Sequence, residues 1–400
     1  MEPQAFLSPS TGQVIRSPKG YWAFIPAPLP PLLNWTANLV SLAGEAERAL
    51  AELATIGRSF PEPYVMVHSF IRQEAVMSSR IEGTRASLED IYQYEAGGLS
   101  FLEPNSDARE VHNYVIALDH GLSRLNTLPV SLRLIRELHQ QLMEGVRGDM
   151  WTPGEFRRTQ NWIGPAGSTL ETATYVPPPV VEMIDALDQL ERYVHAPSDL
   201  PPIVRVGMIH YQFEAIHPFL DGNGRVGRLL VILLLCQWDL LPQPLLYLSN
   251  YFETHRSEYY SRLLAVSQLG RWEDWLTFFL TGIRDQSREA ALRVRALQVW
   301  QESYHQLFAD RRDSVRLQKL GDFLIGHPIV TIRQVQQGLN LSDYKIAQRY
   351  VTKLQDAGIL REITGKSRNR LFRADAILKI IEAPLIQIKG TRPPPDRIFS

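Results

Sequence analysis

The chain of 400 residues contains one cysteine, Cys236. A single thiol excludes an intrachain disulfide and a cysteine-rich zinc module, and its place inside an apolar run marks it as a small buried hydrophobe suited to a reducing compartment. No His-Glu-x-x-His pair occurs, so a zinc site is not expected. Met1 to Gly20 lacks the apolar centre of a signal peptide. The most apolar stretch, Leu229 to Cys236, is far short of the roughly 20 residues that span a bilayer, so the expectation is no membrane association and a cytoplasmic location. The net charge of −1 selects no partner by itself; only the distribution of charge can.

Two nucleotide signatures are also missing. Gly365-Lys366-Ser367 is not a Walker loop, because Leu360 stands where its first glycine belongs. Gly222, Gly224 and Gly227 have the spacing of a dinucleotide fingerprint, but the residues before them are periodic like a helix and end in His-Pro. No Asp or Glu about 20 positions further on is placed to take a ribose.

What the chain does have is bulk and one dense stretch. At 44% hydrophobic it can bury the cores of two or three domains. Between the apolar runs Ile203 to Ile216 and Leu229 to Trp238 lies His217-Pro-Phe-Leu-Asp-Gly-Asn-Gly-Arg-Val-Gly-Arg228. It offers a candidate base (His217), a hard-cation ligand (Asp221), a turn that Gly222 and Gly224 can close tightly, and two fixed cations (Arg225, Arg228). A helix starting near Arg225 points its positive end into that turn, where backbone N–H groups can face an anion. The combination reads as a phosphate cradle.

This stretch resembles the signature of the Fic family: His-Pro-Phe, any residue, Asp or Glu, Gly-Asn-Gly-Arg, any two residues, Arg. All nine specified positions match. The resemblance implies a protein adenylyltransferase that moves AMP from ATP to a Ser, Thr or Tyr hydroxyl of a target protein, the chain itself included. By that resemblance His217 would take the hydroxyl proton, and Asp221 would hold Mg²⁺ on the phosphates. Gly222, Asn223 and Gly224 would line the anion hole, while Arg225 and Arg228 would grip the outer phosphates. Val226 and Gly227 complete the nucleotide-binding turn, and Phe219 anchors it by packing. In the aromatic-rich span Leu246 to Ile283, Tyr260 would border the adenine.

A second stretch lies between Pro63 and Gly83. Val67, Ile71, Ala75 and Ser78 recur at helical spacing, Gly83 is a stop, and Ser87 to Asp90 reads as a capping box for the next helix. Ser78 and Glu82 therefore share one face, where a carboxylate opposes the helix dipole unless it has another partner. Ser78-Ser-Arg-Ile-Glu82-Gly83 resembles the family's inhibitory motif, which implies that Glu82 pairs with Arg228 and displaces a γ-phosphate contact.

The remainder is ordered around these two stretches. Tyr21 to Pro31 is too rich in proline for a helix and reads as an extended arm on the body; Leu33 to Ile56 reads as a helix. Asp107 to Glu110 reads as a second capping box, and Ser131 as the cap of Leu132 to Met143. Trp162 to Tyr175 has strand-like ends around a Gly/Pro/Ser centre, a hairpin that in the family would be the flap holding a target segment. Arg284 to Arg312 is a charged helical connector. Leu317 to Ile325, Thr331 to Gly338 and a helix capped by Ser342, with a wing at Ile359 to Phe372, have the order of a winged helix-turn-helix. From Lys345 to Arg373 eight basic residues face two acidic ones, a pattern suited to a phosphate backbone or to a docking module of the same fold.

The expected fold is mainly α: an N-terminal arm and helices (1–105), a Fic core with a β-hairpin flap (106–284), a linker helix (285–314), a winged helix (315–383) and a loose tail (384–400). Three functions stay open. The first is an adenylyltransferase restrained by its own helix, and the second a DNA-binding regulator whose core senses nucleotide. The third is an enzyme that removes AMP, with Glu82 orienting a water. The assembly state, a homodimer included, is not legible.

Overall fold

The computed structural model describes residues 1–58, 63–97, 107–146 and 152–382. The expected tail and the expected boundary at 105/106 lie outside those residues. Within them the chain is mainly helical, with two small antiparallel sheets.

The N-terminal segment pairs β1 (Gly12–Arg16) with β2 (Trp22–Pro26). The arm expected at Tyr21 to Pro31 is thus half of a hairpin, and the Phe24 N–H donates to the Val176 carbonyl at 2.9 Å, tying it to the body. Helix α1 (Ala37–Arg58) starts later than expected, because Thr36 caps it through the Leu39 N–H at 3.2 Å.

Helix α2 (Pro63–Ile81) ends where Gly83 takes φ 106°, and Ser87 and Asp90 close the expected capping box ahead of α3 (Leu88–Gly97). Asp107 opens α4 (Asp107–Arg124), accepting the Arg85 N–H at 2.6 Å. Ser131 caps α5 (Leu132–Leu142) as expected, through the Leu134 N–H at 3.4 Å. The expected flap hairpin comes down to one bridge, Ile163 with Tyr175; between them lie only turns, which Gly164, Pro165 and Gly167 favour.

After α6 (Val180–His195) the centre is built by α7 (Pro202–Ile216) and α8 (Asn223–Gln237). Both are apolar on nearly every face because other elements surround them. In α7 every residue except Pro202 and Glu214 is buried. Around this pair pack α9 (Ser249–Thr254), α10 (Arg256–Leu269) and α11 (Trp272–Leu307). The expected linker is not a separate element: α11 crosses position 284 without a break. Its charged sequence hides a stripe of Ile283, Ala290, Val294, Leu297 and Tyr304 that is buried, in part against α1.

The C-terminal unit runs α12 (Ser314–Gly326), β3 (Ile329–Val330), α13 (Ile332–Gly338), α14 (Tyr344–Asp356), β4 (Arg361–Glu362), β5 (Phe372–Arg373) and α15 (Asp375–Glu382), with strand order β3-β5-β4. Asp343, not Ser342, caps α14, accepting the Lys345 N–H at 2.8 Å. The unit packs on α2: Ser69 donates to the Ile325 carbonyl at 2.7 Å.

Candidate active site

The loop joining α7 to α8 turns on two residues in the left-handed region, His217 at φ 50° and Gly222 at φ 77°. Glycine suits the second because that backbone conformation is strained for any side chain, and a Cβ there would also press on Met143 Sδ at 3.1 Å. Histidine at the first is held from outside. Arg157 Nε and Asn161 Nδ2 donate to its carbonyl at 3.0 and 3.2 Å. Asn223 braces the turn from within: its Oδ1 accepts the Phe219 N–H and its Nδ2 donates to the Phe219 carbonyl, both at 2.8 Å. On the far side the His139 ring stacks on Phe219, with centroids 3.8 Å apart, and its Nε2 donates to the Asp221 carbonyl at 3.1 Å. Its Nδ1 accepts the Gly154 N–H at 2.9 Å, and burial takes the ring down to about 4, so it is a neutral strut.

The His217 side chain lies with Nδ1 3.3 Å from the Glu214 carbonyl. A carbonyl only accepts, so Nδ1 carries the proton and Nε2 keeps its lone pair. Burial first, and the Arg157 cation second, bring this imidazole down to about 4, against the Glu214 carbonyl and the charges of Glu82 and Asp221. At neutral pH it is an uncharged base.

The first N–H groups of α8, on Asn223, Gly224 and Arg225, have no acceptor within the helix. An anion already stands beside this helix end, against Gly224. A Cβ on Gly224 would meet Glu82 Oε1 at 2.3 Å and Arg228 Nη1 at 2.9 Å. Glu82 Oε1 lies 2.6 Å from Arg228 Nη2, and Arg228 also donates to the Ser78 hydroxyl at 2.8 Å and the Ser78 carbonyl at 3.0 Å. Burial favours the neutral acid in Glu82, but the charge and hydrogen bond of Arg228, helped by Arg225 and His217, outweigh it and hold the carboxyl below its usual range. Arg225 is buried and pairs with Glu110 at 3.3 Å, and it stands 3.7 Å from Asp221. The Asp221 side chain is half exposed, with Oδ1 accepting the Gly222 N–H at 2.7 Å.

The first family match covers residues 40–123, described as Fic/DOC family N-terminal, and the second covers 129–235, described as Fic/DOC family. The chain carries a Fic/DOC domain. Among curated relatives it is 32% identical over 131 residues to the Protein adenylyltransferase Fic of Drosophila grimshawi and 31% identical over the same length to that of Drosophila erecta. Each alignment spans 31% of this chain and about a quarter of the relative (25% and 24%). The crystal structure of a Fic family protein from Desulfovibrio desulfuricans G20 shares the fold, at a TM-score of 0.57 and 20% identity, covering 86% of this chain and 98% of that one.

The Fic motif and α2, far apart in sequence, thus meet at one point, where Ser78 and Glu82 stand against Gly224 and Arg228. Val226 is fully buried and the Gly227 carbonyl faces His210, so these two positions build the helix rather than the cradle. Tyr260 is 42% exposed; burial, then the Glu82 carboxylate, push its phenol up to about 12, beside the same pair. The neighbouring Tyr259 is buried and bonds His210 at 2.8 Å.

Sequence reasoning missed Arg157, Asn161, His139 and Glu214. Arg157 and Asn161 stand in a segment that reads as surface loop, and His139 lies on an ordinary amphipathic helix. Glu214 alone left a signal, as the one acid in an otherwise buried helix. Its Oε1 is enclosed without a hydrogen-bond partner, and burial, opposed by Arg228 and aided by Glu82, lifts its carboxyl to about 7.

Proposed function

We propose that this Fic protein is a protein adenylyltransferase that moves AMP from ATP to a Ser, Thr or Tyr hydroxyl of a target protein, itself included, and that Glu82 restrains it. The observation that carries this reading is the Glu82 carboxylate resting on the N-terminus of α8 against Arg228, an anion where phosphates would bind. The adenylyltransferase relatives support the same class of reaction, although each is matched over about a quarter of its length.

In the proposed reaction Arg228 and Arg225 take the outer phosphates, and the first N–H groups of α8 take the charge that develops on the α-phosphate. Nε2 of His217 removes the proton of the target hydroxyl, whose oxygen bonds to phosphorus as pyrophosphate leaves. Tyr260 borders the base of the nucleotide. No group of three or more acidic or histidine ligands occurs among the described residues, so a metal would not be caged by protein. A single half-exposed carboxylate, Asp221, fits Mg²⁺ shared with phosphates, and the ion would neutralise their charge. Incubation with α-labelled ATP and Mg²⁺ tests the proposal: label should appear on protein, and γ-label should not. Absence of α-label from both the wild type and Glu82→Gly overturns it.

A second reading concerns the C-terminal unit as a winged helix that binds duplex DNA. Lys345 and Arg349 are exposed on α14, and Arg333, Arg368 and Arg370 line a cleft of about 1150 Å³ against α3. Three other cations of the segment are neutralised: Lys353 by Asp313, Arg361 by Asp375, and Arg373 by Glu89 and Asp375. Retardation of duplex DNA by the full chain at low salt supports this reading; a DNA-binding regulator would in addition respond to ATP without transferring label.

A further inference from the structure

Arg157 is among the largest fully buried side chains, 1% exposed, yet no carboxylate among the described residues stands within ion-pair reach of it. Its guanidinium meets only carbonyls: Nε donates to His217 at 3.0 Å, Nη1 to Thr159 at 3.2 Å and Nη2 to Pro178 at 2.5 Å. Its backbone N–H donates to the Pro218 carbonyl at 2.9 Å. A buried cation without a counter-ion is expensive, and burial does bring this guanidinium down to about 10; it stays charged at neutral pH. Bracing the turn does not by itself require a charge, since the neutral amide of Asn161 beside it also donates to the His217 carbonyl, and to that of Phe219.

We propose that Arg157 is a positioning residue for His217, holding its backbone in the left-handed turn that aims the imidazole and setting a fixed cation at the base of that turn. The proposal rests on His217 acting as the base. Four other groups act on this ring: Glu214 through its carbonyl, the carboxylates of Glu82 and Asp221, and the apolar wall that buries it. The carboxylates favour the charged ring, and among the described residues Arg157 is the leading charge opposing them. Buried Arg228 and Arg225 are each paired with an acid, Glu82 and Glu110, so they do not substitute for it.

The test compares Arg157→Gln, which keeps a donor and removes the charge, with Arg157→Lys, which keeps the charge and removes the fork. Both are made in the full chain carrying Glu82→Gly. The His217 imidazole is titrated by NMR on histidine-labelled protein, its signal assigned by its loss in His217→Ala. Measured against the Glu82→Gly parent, Arg157→Gln should raise its pKa toward the ordinary 6.5, while Arg157→Lys should leave it unchanged. Both should lower kcat, on the order of 100-fold if the turn relaxes by an ångström, with KM for ATP little changed. A folded Arg157→Gln with unmoved pKa overturns the electrostatic role, and Arg157→Lys at full kcat overturns the positioning role. If Arg157→Gln does not fold, the Lys variant decides by its rate. If His217→Ala retains transfer, the catalytic reading fails while the NMR titration still judges Arg157.

Discussion

Across 146 positions of sequence, Glu82 Oε1 comes within 2.6 Å of Arg228 Nη2, and the carboxylate occupies the space that a methyl on Gly224 would need. Phosphates bound at the N-terminus of α8 and the Glu82 carboxylate would therefore compete for one guanidinium and one helix end. Two anions cannot share it without repulsion.

Removing the carboxylate should release the site. Glu82→Gly is expected to transfer AMP at least about tenfold faster than the wild type, since each ~1.4 kcal/mol recovered in the transition state is tenfold in rate. The double variant Glu82→Gly/Arg228→Ala should lose that gain. Initial rates with α-labelled ATP decide the matter; an equal or slower Glu82→Gly argues against restraint. Loss of an AMP-removing activity in that variant would point to the reverse reaction.

His217→Ala should reduce transfer on the order of 10² to 10⁴-fold while leaving ATP affinity nearly intact, because the base acts on the hydroxyl and other groups hold the phosphates. Isothermal titration and the transfer assay on the same preparation separate the two effects. Transfer at an undiminished rate would remove His217 from the mechanism.

Glu214 makes stability depend on pH in a direction that can be worked out. Its carboxyl titrates near 7 in the fold against 4.5 as an ordinary glutamate, so its share of stability is full below 4.5 and is lost as pH rises through 7. Glu214→Gln stays neutral throughout. The variant should melt a few degrees above the wild type at pH 8, a gain of order 1 kcal/mol after discounting for part exposure, and no higher than it at pH 4. Equal melting temperatures at pH 8 would show that the carboxyl finds a partner or solvent in solution.

If the C-terminal unit binds DNA, log K against log salt should slope downward, and Arg349→Ala should weaken binding to all sequences while reducing the slope by roughly 0.9. Retention of the full slope would place Arg349 outside the interface, and no retardation at low salt would make the unit a docking module.

Parts of the site were legible because their chemistry is contiguous. A loop that carries His217, Asp221, two glycines and two arginines between apolar helices needs no tertiary information to read as an anion site, since the α8 N-terminus and its N–H groups follow from local helix geometry. The stop at Gly83 and the cap at Ser131 are equally local. The α1–α11 packing and the β1–β2 pairing were not legible in this way. In α11 the apolar stripe is diluted by charges that face solvent, and a strand's partner is fixed by register rather than by its own composition.

The sequence by itself determined the helix stop at Gly83, the tight turn from His217 to the start of α8, and the spacing that sets Ser78 and Glu82 on one face, because each depends on interactions within a few residues. Only the tertiary structure decided that Glu82 lies on the α8 N-terminus, that Arg157 and Asn161 hold the His217 carbonyl, and that the imidazole is neutral. Those outcomes depend on burial and on charges brought together from distant segments. Neither the desolvation of a group nor the sign of its neighbours is written in the residues beside it.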